Sequence, residues 1–146
     1  MRVVLQRVSE ASVSTGGTLC SSIGRGYMLL FGVMTGDTEE QAAWLAGKVL
    51  KLRLFDGADG KINDRSVVDI GGGILVVSQF TLAGNLEKGN RPDFLRAAPP
   101  DEARRLYEFF VGRLRGSGLT VEIGAFGEMM QVSLVNEGPC TILLEH

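Results

Sequence analysis

The run Tyr27-Met28-Leu29-Leu30-Phe31-Gly32-Val33-Met34 constrains the chain more than any other stretch, because it contains no charged or amide side chain. A strand with one wet face alternates apolar and polar residues, and a helix needs a longer run. This run does neither, so it reads as a strand buried on both faces. Something must therefore cover each side of the sheet it joins. The run stops at Thr35-Gly36-Asp37. Before it, Arg2 to Val8 reads as a strand, and Ser12 to Thr15 and Thr18 to Cys20 flank Gly16-Gly17. A diglycine supplies the positive φ angles of a tight hairpin turn.

Helical patterning occurs twice. Asp37 with Glu40 three residues on has the form of a capping box, and Leu45, Val49 and Leu52 follow at helical spacing. Pro99-Pro100-Asp101-Glu102 opens the second helix, whose stripe is Ala103, Leu106, Tyr107, Phe110 and Leu114, with Gly116 as its stop. Ile74 to Leu82 reads as a strand after Gly71-Gly72-Gly73, and Leu119 to Ile123, Met129 to Asn136 and Cys140 to Glu145 read as three more. The expected fold is α+β over residues 1–146 as a single domain, predominantly antiparallel and barrel-like, in the order β-β-β-α-β-α-β-β-β.

Several functions are set aside by what the chain lacks. Asp56 to Lys61 resembles a calcium loop only at its start, since Val67 stands where such a loop needs Glu. The triglycine leads into a strand, whereas a phosphate-cradling loop opens a helix. The only histidine is His146, expected to be a solvated, frayed tail residue, which disfavours an imidazole triad. Cys20 and Cys140 stand far apart, without zinc-ligand spacing, and are expected to be small buried hydrophobes in a reducing cytoplasm. No metal or cofactor is expected, and no membrane partner, since no stretch approaches the roughly 18 apolar residues of a span. Fifteen basic side chains against seventeen acidic give a net charge of −2. Such a chain does not grip a long phosphate backbone, so any nucleic acid must be held locally, at an end or a loop.

Two segments concentrate small polar groups. Ser78-Gln79-Phe80-Thr81, read as strand, sends Ser78 and Phe80 to one face and Gln79 and Thr81 to the other. Asn136-Glu137-Gly138-Pro139-Cys140-Thr141 reads as a Gly-Pro turn between two strands. Each alone is an ordinary edge strand or hairpin connection. Together they resemble the two signature motifs of the D-aminoacyl-tRNA deacylases, also called D-tyrosyl-tRNA deacylases. Gln6-Arg7-Val8, Lys88-Gly89-Asn90-Arg91-Pro92, Phe126-Gly127 and Met130-Gln131-Val132 extend the likeness, in order, over essentially the whole chain.

That resemblance implies hydrolysis of D-aminoacyl-tRNA, with some activity on glycyl-tRNA, by a cytoplasmic homodimer whose sites lie across the subunit interface. It implies a cis Gly138-Pro139 bond inserted into the partner's site, where the Gly138 carbonyl excludes an L side chain. Ser78, Gln79, Phe80 and Thr141 would line the aminoacyl site. Phe126, Gly127 and Met130 would hold the terminal adenosine, Asn136 and Arg7 would also serve substrate binding, and Arg7 would help to fix the Gly-Pro loop. The partner is the 3′ end of an aminoacyl-tRNA. The substrate's own 2′-hydroxyl would assist, with Thr141 as nucleophile the alternative. Ala83, where many relatives carry an aromatic, and Glu87 beside Lys88 depart from the pattern in the segment whose Lys88 and Arg91 are expected to meet RNA, whereas Arg96 is expected to be an ordinary solvated charge. Two rival functions are a deacylase for L-amino acids with a trans Gly-Pro bond and a binding module without turnover.

Overall fold

The computed structural model describes residues 1–87 and 89–146; Lys88, part of the basic segment, lies outside them. Strand β1 (Arg2–Thr15) is the spine. Along one edge it pairs antiparallel with β3 (Gly26–Gly32) and then with β2 (Thr18–Ile23), and along the other with β8 (Gln131–Glu145). Beyond β3 the sheet continues with β6 (Gly73–Ser78) and β7 (Val121–Ile123), in the order β2-β1-β3-β6-β7. Both of these last pairings are parallel, so the nearly closed sheet is mixed, with antiparallel ladders in the majority.

Helices α1 (Glu39–Lys51) and α2 (Pro100–Arg115) pack together over one face. There Ala42, Leu45, Val49, Leu106, Phe110 and Leu114 meet Val3, Leu5, Tyr27, Leu29, Phe31, Ile74 and Val76. Phe31 stacks on Phe110 at 4.3 Å between centroids. The alternate residues Met28, Leu75 and Val77 point the other way, into a second cluster with Val8, Ala11, Val13 and Ile23. The β3 strand is thus covered on both faces, as its sequence requires. Burying each of these large side chains stabilises the fold by roughly 1.5–3 kcal/mol.

The element order is β1-β2-β3-α1-β4-β5-β6-α2-β7-β8 with one 3-10 turn, which departs from expectation in four places. First, a small antiparallel pair, β4 (Arg53–Phe55) and β5 (Arg65–Ser66), flanks the Asp56 to Lys61 turn. Second, β6 ends at Ser78 and the chain enters a 3-10 helix, Phe80–Ala83, rather than staying extended to Leu82. This bend crosses directly over Gly32, where a Cβ would lie 2.9 Å from both the Gln79 carbonyl oxygen and Leu82 Cβ. Third, Met129 to Asn136 and Cys140 to Glu145 are not two strands joined by a hairpin. Both pair with β1, forming one strand, β8, in which Gly138-Pro139 is a local irregularity.

Fourth, the α1 cap is shifted by one residue: Thr38 N donates to Gln41 Oε1 at 2.7 Å. Asp37 is instead buried, accepting from the Met1 ammonium at 2.9 Å and from Met34 N at 2.7 Å. His146 is not frayed either. Its ring stacks on Trp44 at 4.4 Å, and its carbonyl accepts from the Met1 ammonium and Gln41 Nε2. The short β7 occupies only the end of the expected Leu119 to Ile123 strand. No helix is long and apolar enough to cross a membrane, among the described residues.

Candidate active site

The irregularity in β8 builds the most constrained polar feature of the molecule. Gln6 pairs with Thr141 and Val8 with Asn136, so while β1 advances two residues β8 advances five, and the extra three must bulge out (5 − 2 = 3). Side chains hold this bulge at both ends. Cys140 N donates to Asn136 Oδ1 at 3.0 Å, and Asn136 Nδ2 donates to Thr141 Oγ1 at 3.0 Å. Gln6 Nε2 donates to the same Thr141 oxygen at 3.3 Å.

Arg7, opposite the bulge, ties it to the body of the fold. Its Nε donates to the Glu137 carbonyl at 3.0 Å and its Nη1 to the Leu54 carbonyl. Gly138 adopts φ +128°, a region that L side chains rarely enter, and a Cβ there would sit 2.7 Å from Arg7 Nη2. Only glycine fits both constraints. The Gly138-Pro139 bond is cis, and both residues are exposed.

The Ser78 to Thr81 segment lies at the far end of β6. Ser78 is half-buried opposite Phe31, and Gln79 N donates to the Phe31 carbonyl at 2.8 Å as the ladder ends. Because the 3-10 turn begins there, the expected sharing of faces by Ser78 and Phe80 does not hold. Gln79 Nε2 donates to Thr81 Oγ1 at 2.5 Å, and Phe80, 59% exposed, rests edge-on against Phe94. The third group sits just past β7. Phe126 packs on Tyr107 at 5.6 Å with the Arg104 guanidinium over its ring at 4.5 Å. Gly127 has φ +79°, and Met130 Sδ lies 2.7 Å from where a Cβ on Gly124 would be. Arg91 and Arg96 are exposed.

Burial pushes the hydroxyls of Tyr27 and Tyr107 well above the ordinary tyrosine range. For Tyr27 the neighbouring Cys140 adds to the rise and Arg7 opposes it. The Tyr27 hydroxyl donates to the Leu52 carbonyl and that of Tyr107 to the Val76 carbonyl, so neither is available as a phenolate base near neutral pH. Among the described residues no group of three or more His, Cys, Asp or Glu is placed to hold a metal ion. Cys140 is half-buried and Cys20 is exposed, contrary to its expected burial.

Within one chain the bulge and the Ser78 segment do not meet. Arg7, Tyr27 and Ile74 are neighbours across the sheet, which puts three strand spacings, ~14 Å, between the bulge and β6. Ser78 lies four residues further along β6 than Ile74, another ~13 Å. The strands between them, β1 and β3, also present a face away from the helices. That face carries a cross-strand apolar row of Leu143, Val4, Leu30 and Val77, in which Leu143 is 59% exposed and Val4 and Leu30 are half-buried. The outer edge of β8 pairs with no strand among the described residues, although β8 spans 15 residues. Sequence reading gave no role to Gln6, Leu54, Glu137 or Arg25 around the bulge. Leu54 and Glu137 act there through backbone carbonyls, which leave no mark on residue type.

Known proteins resemble the chain along essentially its whole length. The model of the D-Tyr-tRNA(Tyr) deacylase family matches residues 4–145. A "D-aminoacyl-tRNA deacylase" of Thermomicrobium roseum is 57% identical over 99% of this chain and 94% of its own length. One of Thermus aquaticus is 50% identical over 99% and 95%. Among solved structures, one described as "c-Myc DNA Unwinding Element Binding Protein" superposes with a TM-score of 0.94 at 43% identity, covering 100% of this chain and 99% of that one. A "probable eukaryotic D-amino acid tRNA deacylase" shares the fold with a TM-score of 0.83 at 22% identity, over 98% and 97% of the two chains. With a family model spanning both the Ser78 segment and the bulge, and relatives identical at half or more of their positions, the chain belongs to the D-Tyr-tRNA(Tyr) deacylase family.

Proposed function

We propose that the chain hydrolyses the ester of D-aminoacyl-tRNA, and of glycyl-tRNA more weakly, releasing the free amino acid and tRNA. The observation that carries this reading is the Asn136 to Thr141 bulge, which presents Gly138-Pro139 to solvent on a frame of side-chain hydrogen bonds. A backbone group held this rigidly discriminates by exclusion. It tests whether a substituent points toward it and ignores what the substituent is, so breadth over D side chains and tolerance of glycine follow together. Rejecting L esters a thousandfold requires about 4 kcal/mol, which overlap with an immobile backbone supplies.

The chain acts as one domain in a homodimer, and the partner's bulge completes each site. Two features support this: the separation of the bulge from the Ser78 segment within one chain, and the apolar row that ends in the exposed Leu143 on the unpaired edge of β8. In the assembled site Ser78, Gln79, Phe80 and Thr141 line the aminoacyl group. Phe126, Gly127 and Met130 receive the terminal adenosine, while Asn136 and Arg7 hold the loop. The place of work is the cytoplasm, where aminoacyl-tRNA is made and used.

No protein nucleophile is needed. Water adds to the ester carbonyl, backbone and amide donors stabilise the oxyanion, and the bond to the 3′-oxygen breaks as that oxygen takes a proton. The neighbouring 2′-hydroxyl of the substrate assists. Thr141 is poorly suited to attack, because its oxygen already accepts from Asn136 and Gln6 and no imidazole lies beside it. A duplex-binding role, suggested by the name of one structural neighbour, fits poorly with a net charge of −2.

The test is release of D-tyrosine from preformed D-tyrosyl-tRNA ending in adenosine or in 2′-deoxyadenosine, with wild type and Thr141→Ala. The deoxy substrate is expected to lose most turnover, while Thr141→Ala stays within about tenfold of wild type. Loss of activity in Thr141→Ala with normal cleavage of the deoxy substrate would install threonine as the nucleophile. Absence of any release would leave a binding module.

A further inference from the structure

Glu137 is a residue of the bulge whose side chain the proposed chemistry does not use, and its surroundings are unusual. Its Oε2 is out of water yet accepts no hydrogen bond. Two guanidinium groups flank that oxygen instead, Arg25 Nε at 3.5 Å and Arg7 Nε at 4.0 Å. Among the described residues, Glu137 supplies the one carboxylate within 4 Å of Arg7. Arg7 is also the residue that holds the Glu137 carbonyl and packs against Gly138.

Arg25 is itself anchored. Its guanidinium lies over the Phe55 ring at 5.2 Å, and Phe55 stacks on the buried Tyr27 at 5.2 Å. Its carbonyl accepts from Gly73 N, which ties the β2–β3 turn to the start of β6. A continuous path of contacts therefore runs from the core, Tyr27 and Phe55, through Arg25 to the Glu137 carboxylate, then to Arg7 and Gly138.

We propose that Arg25 and Glu137 are positioning residues that fix where the Gly138 carbonyl points, and so help to set the preference for D over L esters. This rests on the functional reading above. The physical reason is that Arg7 has too many tasks to orient the bulge alone. Its charge must be balanced while its nitrogens stay directed at the Leu54 and Glu137 carbonyls. A carboxylate free to swing would pull Arg7 off those carbonyls, because attraction between two full opposite charges outweighs that between a guanidinium and a carbonyl dipole. Arg25 prevents this by holding the carboxylate from the far side. Neither residue touches the substrate in this scheme, so their removal should loosen discrimination before it harms catalysis.

Initial rates on D-tyrosyl-tRNA and L-tyrosyl-tRNA, measured for wild type, Arg25→Ala, Arg25→Lys and Glu137→Gln, test the assignment. The D-to-L rate ratio is expected to fall about tenfold in Arg25→Ala and in Glu137→Gln, mainly because L-ester cleavage rises, while Arg25→Lys keeps most of the ratio. Arg25 lies on an exposed turn, so its variants are expected to fold. An unchanged ratio in both Arg25→Ala and Glu137→Gln overturns the proposal. So does a parallel fall of both rates, which marks a general structural role. A wild type that does not discriminate at all removes the functional reading itself, and is recognisable because it precedes any substitution.

Discussion

The helix-covered core and the β8 bulge are built by opposite means. Around Phe31 and Phe110 the chain is held by apolar area, with ring contacts as close as 4.3 Å and the Met1–Asp37 ion pair at the margin of the cluster. Around Gly138 no residue of β8 is buried, and position is fixed by hydrogen bonds from Arg7, Asn136 and Gln6. Apolar packing is strong and non-directional. It settles which elements meet, but it does not aim a single carbonyl. Hydrogen bonds contribute less stability each, about 0.5–1.5 kcal/mol net, yet they fix direction, and discrimination between mirror images requires direction.

Substitutions in the two regions should therefore separate stability from activity. Phe110→Ala is expected to cost about 3–5 kcal/mol of unfolding free energy, measurable by denaturant titration, with kcat/KM per folded molecule little changed. A small stability loss there would mean that the helix-side core does not hold the fold. Gly138→Ala inverts the pattern: a midpoint of unfolding within a few degrees of wild type, and a fall in kcat/KM of about a hundredfold. Near-normal turnover in that variant would break the claim that φ +128° and the Arg7 contact matter for function. Leu143→Lys should do less to either quantity within a chain. It places a charge in the exposed apolar row, and is expected to weaken self-association by at least about tenfold. Sedimentation equilibrium reads this directly, and an undiminished dimer would place the interface elsewhere.

The same contrast explains what was legible in the sequence. The Tyr27 to Met34 run, the α2 stripe and the Gly16-Gly17 hairpin follow from apolar spacing and turn chemistry, and the structure has them where expected. Apolar spacing does not distinguish one irregular strand from two regular ones, so β8 read as a pair. It also misses a 3-10 turn after Ser78, which is set by the close crossing over Gly32 rather than by the turn residues. The parallel β3–β6 and β6–β7 ladders join strands separated by long crossovers, which the apolar spacing within a strand does not specify. At the bulge, the Asn136 to Thr141 motif coincides with the irregular stretch of β8, but the carbonyls of Leu54 and Glu137 that orient Arg7 carry no sequence signal.

The central claim is that one chain's bulge completes the other chain's site, and subunit mixing tests it most directly. One variant carries Gly138→Val, which spoils the bulge, and a second carries Ser78→Ala with Gln79→Ala, which spoils the receiving site. Each is assayed alone, then after co-refolding in equal amounts. If the site is shared, each mixed dimer holds one site made of two intact halves and one made of two spoiled halves. Half of the dimers are mixed and half of their sites work, so about a quarter of wild-type D-tyrosyl-tRNA deacylation is expected to return. A mixture that forms mixed dimers yet stays as inactive as its parents would show that each chain builds its site alone, and would contradict the account.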